Sequence, residues 1–346
     1  MAVLAIVTSS PPGVEGGHLV IARALVDAAR ESGHDAHLLI TPDYGFGRLT
    51  ATYAAMLKVD VSRVEGRKTD QVISLRYPSF AARHRAHVCW LNHTMREYYD
   101  LWPRFAATLS PRNRIKEGLR KAILHTVDRH LLKQHVTRVV AQSQTIQRRL
   151  DADFGIRADV VYPPPPQRSY RCDGYGDYIF ALSRLTPLKR VDLLVRALAE
   201  PSARHVTAVV AGDGESRGEL AALARDLGVA DRVRFLGRVD EPTLVEHLAR
   251  CRAVCFTPMD EDYGFVTVEA FASRKPVITC RDSGGPAELV VDGDAGLVCD
   301  PTPASLAAAL ARLADDAGLA ERLGIRAAAR AAEMTWPAAV KRLVIV

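Results

Sequence analysis

The sequence predicts an α/β protein of two doubly wound, parallel-sheet domains. Three observations carry this. Short apolar runs alternate with longer amphipathic stretches along the chain; the alternation halts at four consecutive prolines, residues 163–166; beyond them it restarts. At 346 residues the chain exceeds the roughly 250–300 at which a single core stops growing. Two domains, 1–165 and 166–346, are therefore expected, with the last helix free to cross back to the first.

In order, residues 2–8 read as a buried strand and the turn-rich SSPPGVEGG as the loop after it. A helix over 18–32 follows, stopped by Gly33, then a strand over 35–41. Strands are expected at 71–75, 87–91, 137–141 and 160–162, with a long basic helix before the third of these. Four prolines fit neither a helix nor an inner strand, so 163–166 is a stiff extended connector. Past it, strands are expected at 178–182, 206–211, 233–235, 253–257, 276–279 and 296–299. Helices are expected at 191–200, 215–227, 242–250 and 266–273, and an alanine-rich helix over 304–332 should break near Gly318 and Gly324.

Composition narrows the class. With 25% charged and 48% hydrophobic residues the chain is an ordinary globular one rather than a disordered one. No run approaches the ~18 apolar residues of a membrane span. The six cysteines are sparse, lie mostly in apolar runs and show no C-x2-C pairing, so buried thiols and a reducing cytoplasm are expected. Abundant Ala and Arg with little Lys fits a GC-rich bacterial genome. The charge is uneven: residues 1–165 carry 23 Lys/Arg against 15 Asp/Glu, and residues 104–138 carry nine against two. That asymmetry suits an anionic partner, whether a phosphorylated ligand or an anionic membrane at whose inner face the protein would sit peripherally; a solvated helix face is the plainer alternative. No helix-turn-helix, zinc finger or aromatic stacking platform points to nucleic acid.

Sites in open parallel sheets form at the carboxyl ends of strands, and the chemistry-bearing residues sit just after predicted strands. Arg184 and Lys189, in SRLTPLK, are five apart and bring two cations beside a helix start, as a diphosphate clamp would. Glu261 and Glu269 bracket EDYGFVTVE, where Gly264 permits close backbone approach and the N–H groups of Phe265 and Val266 suit an anion. The plainer alternatives are a surface pair and helix-start acids complementing the dipole. Gly212-Asp-Gly214, Phe235-Leu-Gly237 and Gly284-Gly-Pro-Ala-Glu288 follow other strands. The D-x-D triplets Asp151-Ala-Asp153 and Asp292-Gly-Asp294 read as surface turns. His125, His130 and His135 drift around a helix and make no metal face.

The order and spacing of SRL-x3-K, AGDG, FLG, E-x7-E and GG-x2-E resemble the retaining glycosyltransferases of family 4, which have the GT-B fold of two facing Rossmann-like domains with a cleft between them. Gly16-Gly17 and WLNH-x2-RE-x-YD carry the resemblance into the first half. It implies a metal-independent, cofactor-free hexosyltransferase taking a sugar from a UDP- or GDP-type donor to an acceptor held by the first domain. Position by position it implies that Arg184 and Lys189 hold the diphosphate, that Glu261 bonds sugar hydroxyls and Glu269 the ribose, and that Phe265 and Val266 offer N–H groups within the Tyr263-Gly264 turn. It also implies that Arg238 and Val239 lie by the base, Gly16 and Gly17 near the phosphates, and His93 against the sugar. A sugar-nucleotide epimerase or phosphorylase-like enzyme is the alternative the same fold allows.

Overall fold

A computed structural model describes residues 1–11, 13 and 16–346, and the chain divides into two compact units. The first comprises Met1–Pro163 with Thr335–Val346, the second Pro164–Met334. Within SSPPGVEGG, residues 12, 14 and 15 lie outside the described residues.

The first unit opens with β1 (Val3–Ser10), α1 (Gly17–Glu31) and β2 (Asp35–Pro42). Then come α2 (Leu49–Leu57), a two-residue hairpin of β3 (Arg63–Val64) and β4 (Arg67–Lys68), β5 (Gln71–Ser74) and β6 (His87–Leu91). The unit continues through α3 (Trp102–Ala107), α4 (Pro111–Gln134), β7 (Arg138–Ala141), α5 (Gln144–Phe154) and β8 (Asp159–Val160). Six strands form a parallel sheet in the order β2-β1-β5-β6-β7-β8. Every residue of β5 and β6 is buried, as befits strands covered on both faces.

The second unit holds β9 (Tyr178–Leu182), α6 (Val191–Ala199), β10 (Thr207–Ala211), α7 (Arg217–Asp226), β11 (Val233–Gly237) and α8 (Glu241–Arg250). It continues with β12 (Ala253–Cys255), α9 (Phe265–Ala272), β13 (Val277–Cys280), α10 (Gly285–Val290), β14 (Gly296–Cys299), α11 (Pro303–Asp315) and α12 (Ala317–Glu333). Its parallel sheet runs β11-β10-β9-β12-β13-β14, a doubly wound order whose direction of winding reverses between β9 and β12.

The final helix, α13 (Trp336–Leu343), groups with the first unit, so the second unit ends at Met334 rather than at the chain end. The Trp336 ring meets Trp90 edge-on at 6.4 Å, and the Gln71 amide donates to the Leu343 carbonyl at 2.7 Å.

Two sequence expectations need correction. The alanine-rich stretch does break near Gly318, at Asp316, whose side chain accepts from the Leu319 N–H, but it runs unbroken through Gly324. Gly324 is there for space: a Cβ would collide with the Arg274 carbonyl and the Tyr175 hydroxyl. Asp151 and Asp153 lie in the last turn of α5 rather than in a loop, with Gly155 closing that helix at φ 65°. Asp292 and Asp294 do lie in a turn, where Asp294 is held by Arg326 and Arg330 at 2.7 and 2.8 Å.

Candidate functional site

In the second unit the winding reverses between β9 and β12, so the loops after these two strands diverge and leave a crevice at their carboxyl ends. Lys189 comes from the first loop, at the end of the short turn Pro187–Lys189, and Glu261 from the second. Their side chains meet: Lys189 Nζ donates to Glu261 Oε2 at 2.5 Å, and the same ammonium lies 5.7 Å from the centre of the Phe256 ring. Arg190, next in the chain, locks the loops together. It holds a left-handed backbone (φ 49°) and donates to the carbonyls of Thr257 and Pro258, each at 2.8 Å. It also forms a bidentate pair with Asp282, at 2.7 and 2.6 Å.

Glu261 is fixed by its backbone as well. Its N–H donates to the Ser283 carbonyl at 2.9 Å, and its carbonyl accepts from Gly285 N–H at 2.8 Å. A side chain at Gly284 or Gly285 would strike the backbone of Glu261 or Tyr263, which gives the paired glycines their role. Gly264 precedes α9 with φ 83°, and a Cβ there would press on Phe256 and Pro286. Phe265 and Val266 then open the helix, and their N–H groups have no intrahelical acceptor.

Glu269 is the only charged residue of α9, a helix otherwise buried through Thr267–Phe271. A carboxylate in such a place needs partners. It finds Arg168, with which it forms a short ion pair, and the Tyr170 hydroxyl, which donates at 3.3 Å. Burial pushes its carboxyl up to about 7, while Arg168 pulls in the opposite sense. Arg168 also reaches Glu241 at 3.2 Å.

Arg184 stands apart from the Lys189–Glu261 pair. It is exposed and lines an open depression of about 260 Å³ with Gly212, Asp213, Arg238 and Val239, at the carboxyl ends of β9, β10 and β11. Lys189 lines a narrower recess with Phe256 and Thr257, and Ser183 borders both. The two cations of SRLTPLK therefore serve adjacent recesses rather than one point. Tyr263 is buried, its ring edge-on to Phe265 at 5.2 Å and its hydroxyl near Met334 Sδ at 3.7 Å. These contacts pack the turn that precedes α9.

In the first unit Gly16 caps α1 in an extended conformation and Gly17 begins it. His93, two residues past β6, sits on a guanidinium. Its Nδ1–H donates to the Thr94 carbonyl at 2.7 Å, and its Nε2 accepts from Arg76 Nε at 3.3 Å. Arg76 in turn donates to the Ser9 carbonyl at 3.1 Å and pairs with Asp43 at 3.1 Å. This geometry needs a neutral imidazole protonated at Nδ1. We expect ¹⁵N NMR to show the Nδ1–H tautomer, and Arg76→Met to release it toward the Nε2–H form, since the donor to Nε2 is removed. An unchanged tautomer in the variant would mean that Arg76 and His93 are not joined in solution.

Arg76, Arg168, Tyr170 and Arg190 were not singled out from sequence. Only Arg190 had a signal, adjoining Lys189; the others lie in stretches with no recognisable spacing. Among the described residues no group of three or more His, Cys, Asp or Glu is placed to hold a metal ion, and no helix is long and apolar enough to cross a membrane. The thiols of Cys280 and Cys299, on adjacent strands, lie 3.8 Å apart and are buried.

Residues 169–330, most of the second unit, match the family model described as glycosyl transferases group 1. A D-inositol 3-phosphate glycosyltransferase of Thermomonospora curvata is 37% identical over 174 residues, 47% of this chain and 40% of that protein. One from Nocardia farcinica is 33% identical over 224 residues, 58% of this chain and 49% of that protein. The matched region thus spans less than half the length of these curated relatives. Among solved structures, Anabaena Alr3699/HepE in complex with UDP and glucose superposes with a TM-score of 0.72 at 20% identity, covering 98% of this chain and 97% of that one. Sucrose-phosphate synthase from Thermosynechococcus elongatus gives 0.75 at 16% identity, covering 98% and 96%. The fold is GT-B: two Rossmann-like parallel-sheet units.

Proposed function

We propose that this protein transfers a hexose-type sugar, with retention of anomeric configuration, from a nucleoside diphosphate donor bound by the second unit to an acceptor hydroxyl. The observation that carries the reading is the meeting of Lys189 and Glu261 at the β9/β12 reversal, inside the segment that matches glycosyl transferases group 1. Cleaving the bond between the anomeric carbon and the diphosphate builds negative charge on the leaving oxygen. Lys189 has three N–H donors and uses one on Glu261. The others, with the N–H groups of Phe265 and Val266, stabilise that charge more in the transition state than in the ground state, and Arg184 meets the diphosphate from the adjoining recess. No metal is needed in this scheme, because the cations supply the neutralisation.

Glu261, oriented by Gly285 and by Lys189, bonds the hydroxyls of the departing sugar. Glu269 takes the ribose hydroxyls, and Arg238 and Val239 flank the base in the 260 Å³ depression. Gly16 and Gly17 serve the phosphates and the acceptor, and His93 serves the transferred sugar. UDP in a GT-B neighbour supports a nucleotide donor, and the excess positive charge of residues 1–165 supports an anionic acceptor.

A thermal-shift panel of UDP, GDP, ADP, dTDP and CMP in EDTA tests the reading. A ligand at a hundred times its Kd adds about 2.7 kcal/mol, worth roughly 5–10 °C for a unit of this size. One nucleotide should give such a shift without metal. No shift with any of them, or a shift only with magnesium, would contradict the scheme.

A further inference from the structure

Helix α4 carries a surface that the donor site does not use. Ile115, Leu119, Ile123 and Val127 recur every four residues and are 77, 65, 57 and 38% exposed. Residues so spaced lie on one face, and these form a ridge about 18 Å long at 1.5 Å per residue. Arg112, Lys116 and Arg120 make a parallel row beside it, all exposed, and Lys133 extends the charge toward the end of the helix, whereas Arg129 donates to the Asp153 carbonyl at 2.8 Å. The two acids of the helix point the other way: Glu117 accepts from the Tyr98 hydroxyl at 2.6 Å, and Asp128 from that of Tyr99 at 2.7 Å, both buried. The outer face is therefore apolar and cationic with no acidic group.

Several cations predicted from sequence to form this surface are committed elsewhere. Arg114 donates to the Ala106 carbonyl at 3.1 Å, Lys121 lies over the Trp102 ring at 5.0 Å, and Arg120 is shared with Glu117 at 2.8 Å. Arg112, Lys116 and Lys133 make no ion pair or hydrogen bond among the described residues.

A contiguous row of exposed large apolar side chains marks an interaction surface. Two copies of this chain joined ridge to ridge would bring their cation rows together. The four side chains stand in a single row on one helix. An anionic bilayer fits both features: the ridge enters the acyl boundary while the long Arg and Lys stems keep their charges at the phosphates. We infer that α4 docks this protein on an anionic lipid surface, lying in the plane of the interface. The inference is independent of the donor site.

The test is co-sedimentation of the full chain with phosphatidylcholine vesicles, and with vesicles containing 30% phosphatidylglycerol, in ~0.1 M salt. Binding should favour the anionic vesicles. Arg112→Gln/Lys116→Gln should weaken it about fivefold for each cation removed. Leu119→Ser/Ile123→Ser, at solvent-exposed positions, should abolish it while thermal stability and sedimentation velocity without lipid stay as in wild type. Equal partition onto both vesicle types, unchanged binding of the ridge variant, or a wild-type dimer that this variant splits would each overturn the inference; the last would assign the ridge to a second copy.

Discussion

On the proposed scheme, replacing Lys189 by alanine is expected to lower the transfer rate by about 10²–10³-fold at saturating donor, the loss seen when one preorganised donor to a developing oxyanion is removed. The reasoning starts from position. Lys189 stands at the point where the second sheet reverses its winding, held by Arg190 on one side and by Glu261 on the other. An ammonium so fixed needs no reorganisation when the diphosphate departs. Its side chain is 22% exposed and that of Glu261 is 19% exposed, so water takes over the orphaned carboxylate and folding is little affected. Nucleotide affinity falls along with turnover, because the ground-state diphosphate is also anionic. Steady-state rates of the variant within twofold of wild type would remove Lys189 from the diphosphate site.

Replacing Arg168 by methionine destabilises the protein in a pH-dependent way. Glu269 is then left buried beside Tyr170 without its cation, and it takes up a proton instead of carrying an unpaired charge. The sign follows from the direction of the shift. Burial already holds the Glu269 carboxyl up near 7, and loss of Arg168 raises it further. A carboxyl whose folded value lies above its unfolded value destabilises as pH rises through that interval, and costs nothing below it. Arg168→Met should thus unfold close to wild type at pH 4 and below it at pH 8, by roughly 3–6 °C, because a carboxyl already near 7 can lose only about 1.4 kcal/mol more by pH 8 before it stays protonated. Adding Glu269→Gln should restore most of the loss at pH 8. A deficit independent of pH would show that Arg168 acts through packing alone.

Fold class was legible because it depends on a pattern spread over the whole chain. Apolar runs alternating with amphipathic stretches survive errors of one or two residues at any boundary. Elements lacking that contrast escaped notice. Helix α2 is apolar nearly throughout and so has no periodicity to show. The predicted interruption at Gly324 failed because a glycine breaks a helix only where nothing repays its entropy; here close approach to Arg274 does. In the site, residues with sequence neighbours of a recognisable kind were found: Lys189, Glu261 and Glu269 sit in dense motifs. Arg168 and Arg76 were not, because a partner 101 or 17 positions away leaves no local trace. The same limit explains α4. Its basic composition was visible, but which cations face outward depends on Ala106, Glu117 and Trp102.

The proposal that the second unit binds a nucleoside diphosphate through Lys189 is tested most directly by calorimetric titration, in EDTA, of the nucleotide that gives the largest thermal shift. Wild type and Lys189→Ala should both be folded, and the variant should bind at least tenfold more weakly. Equal affinities would place the diphosphate elsewhere and contradict the account.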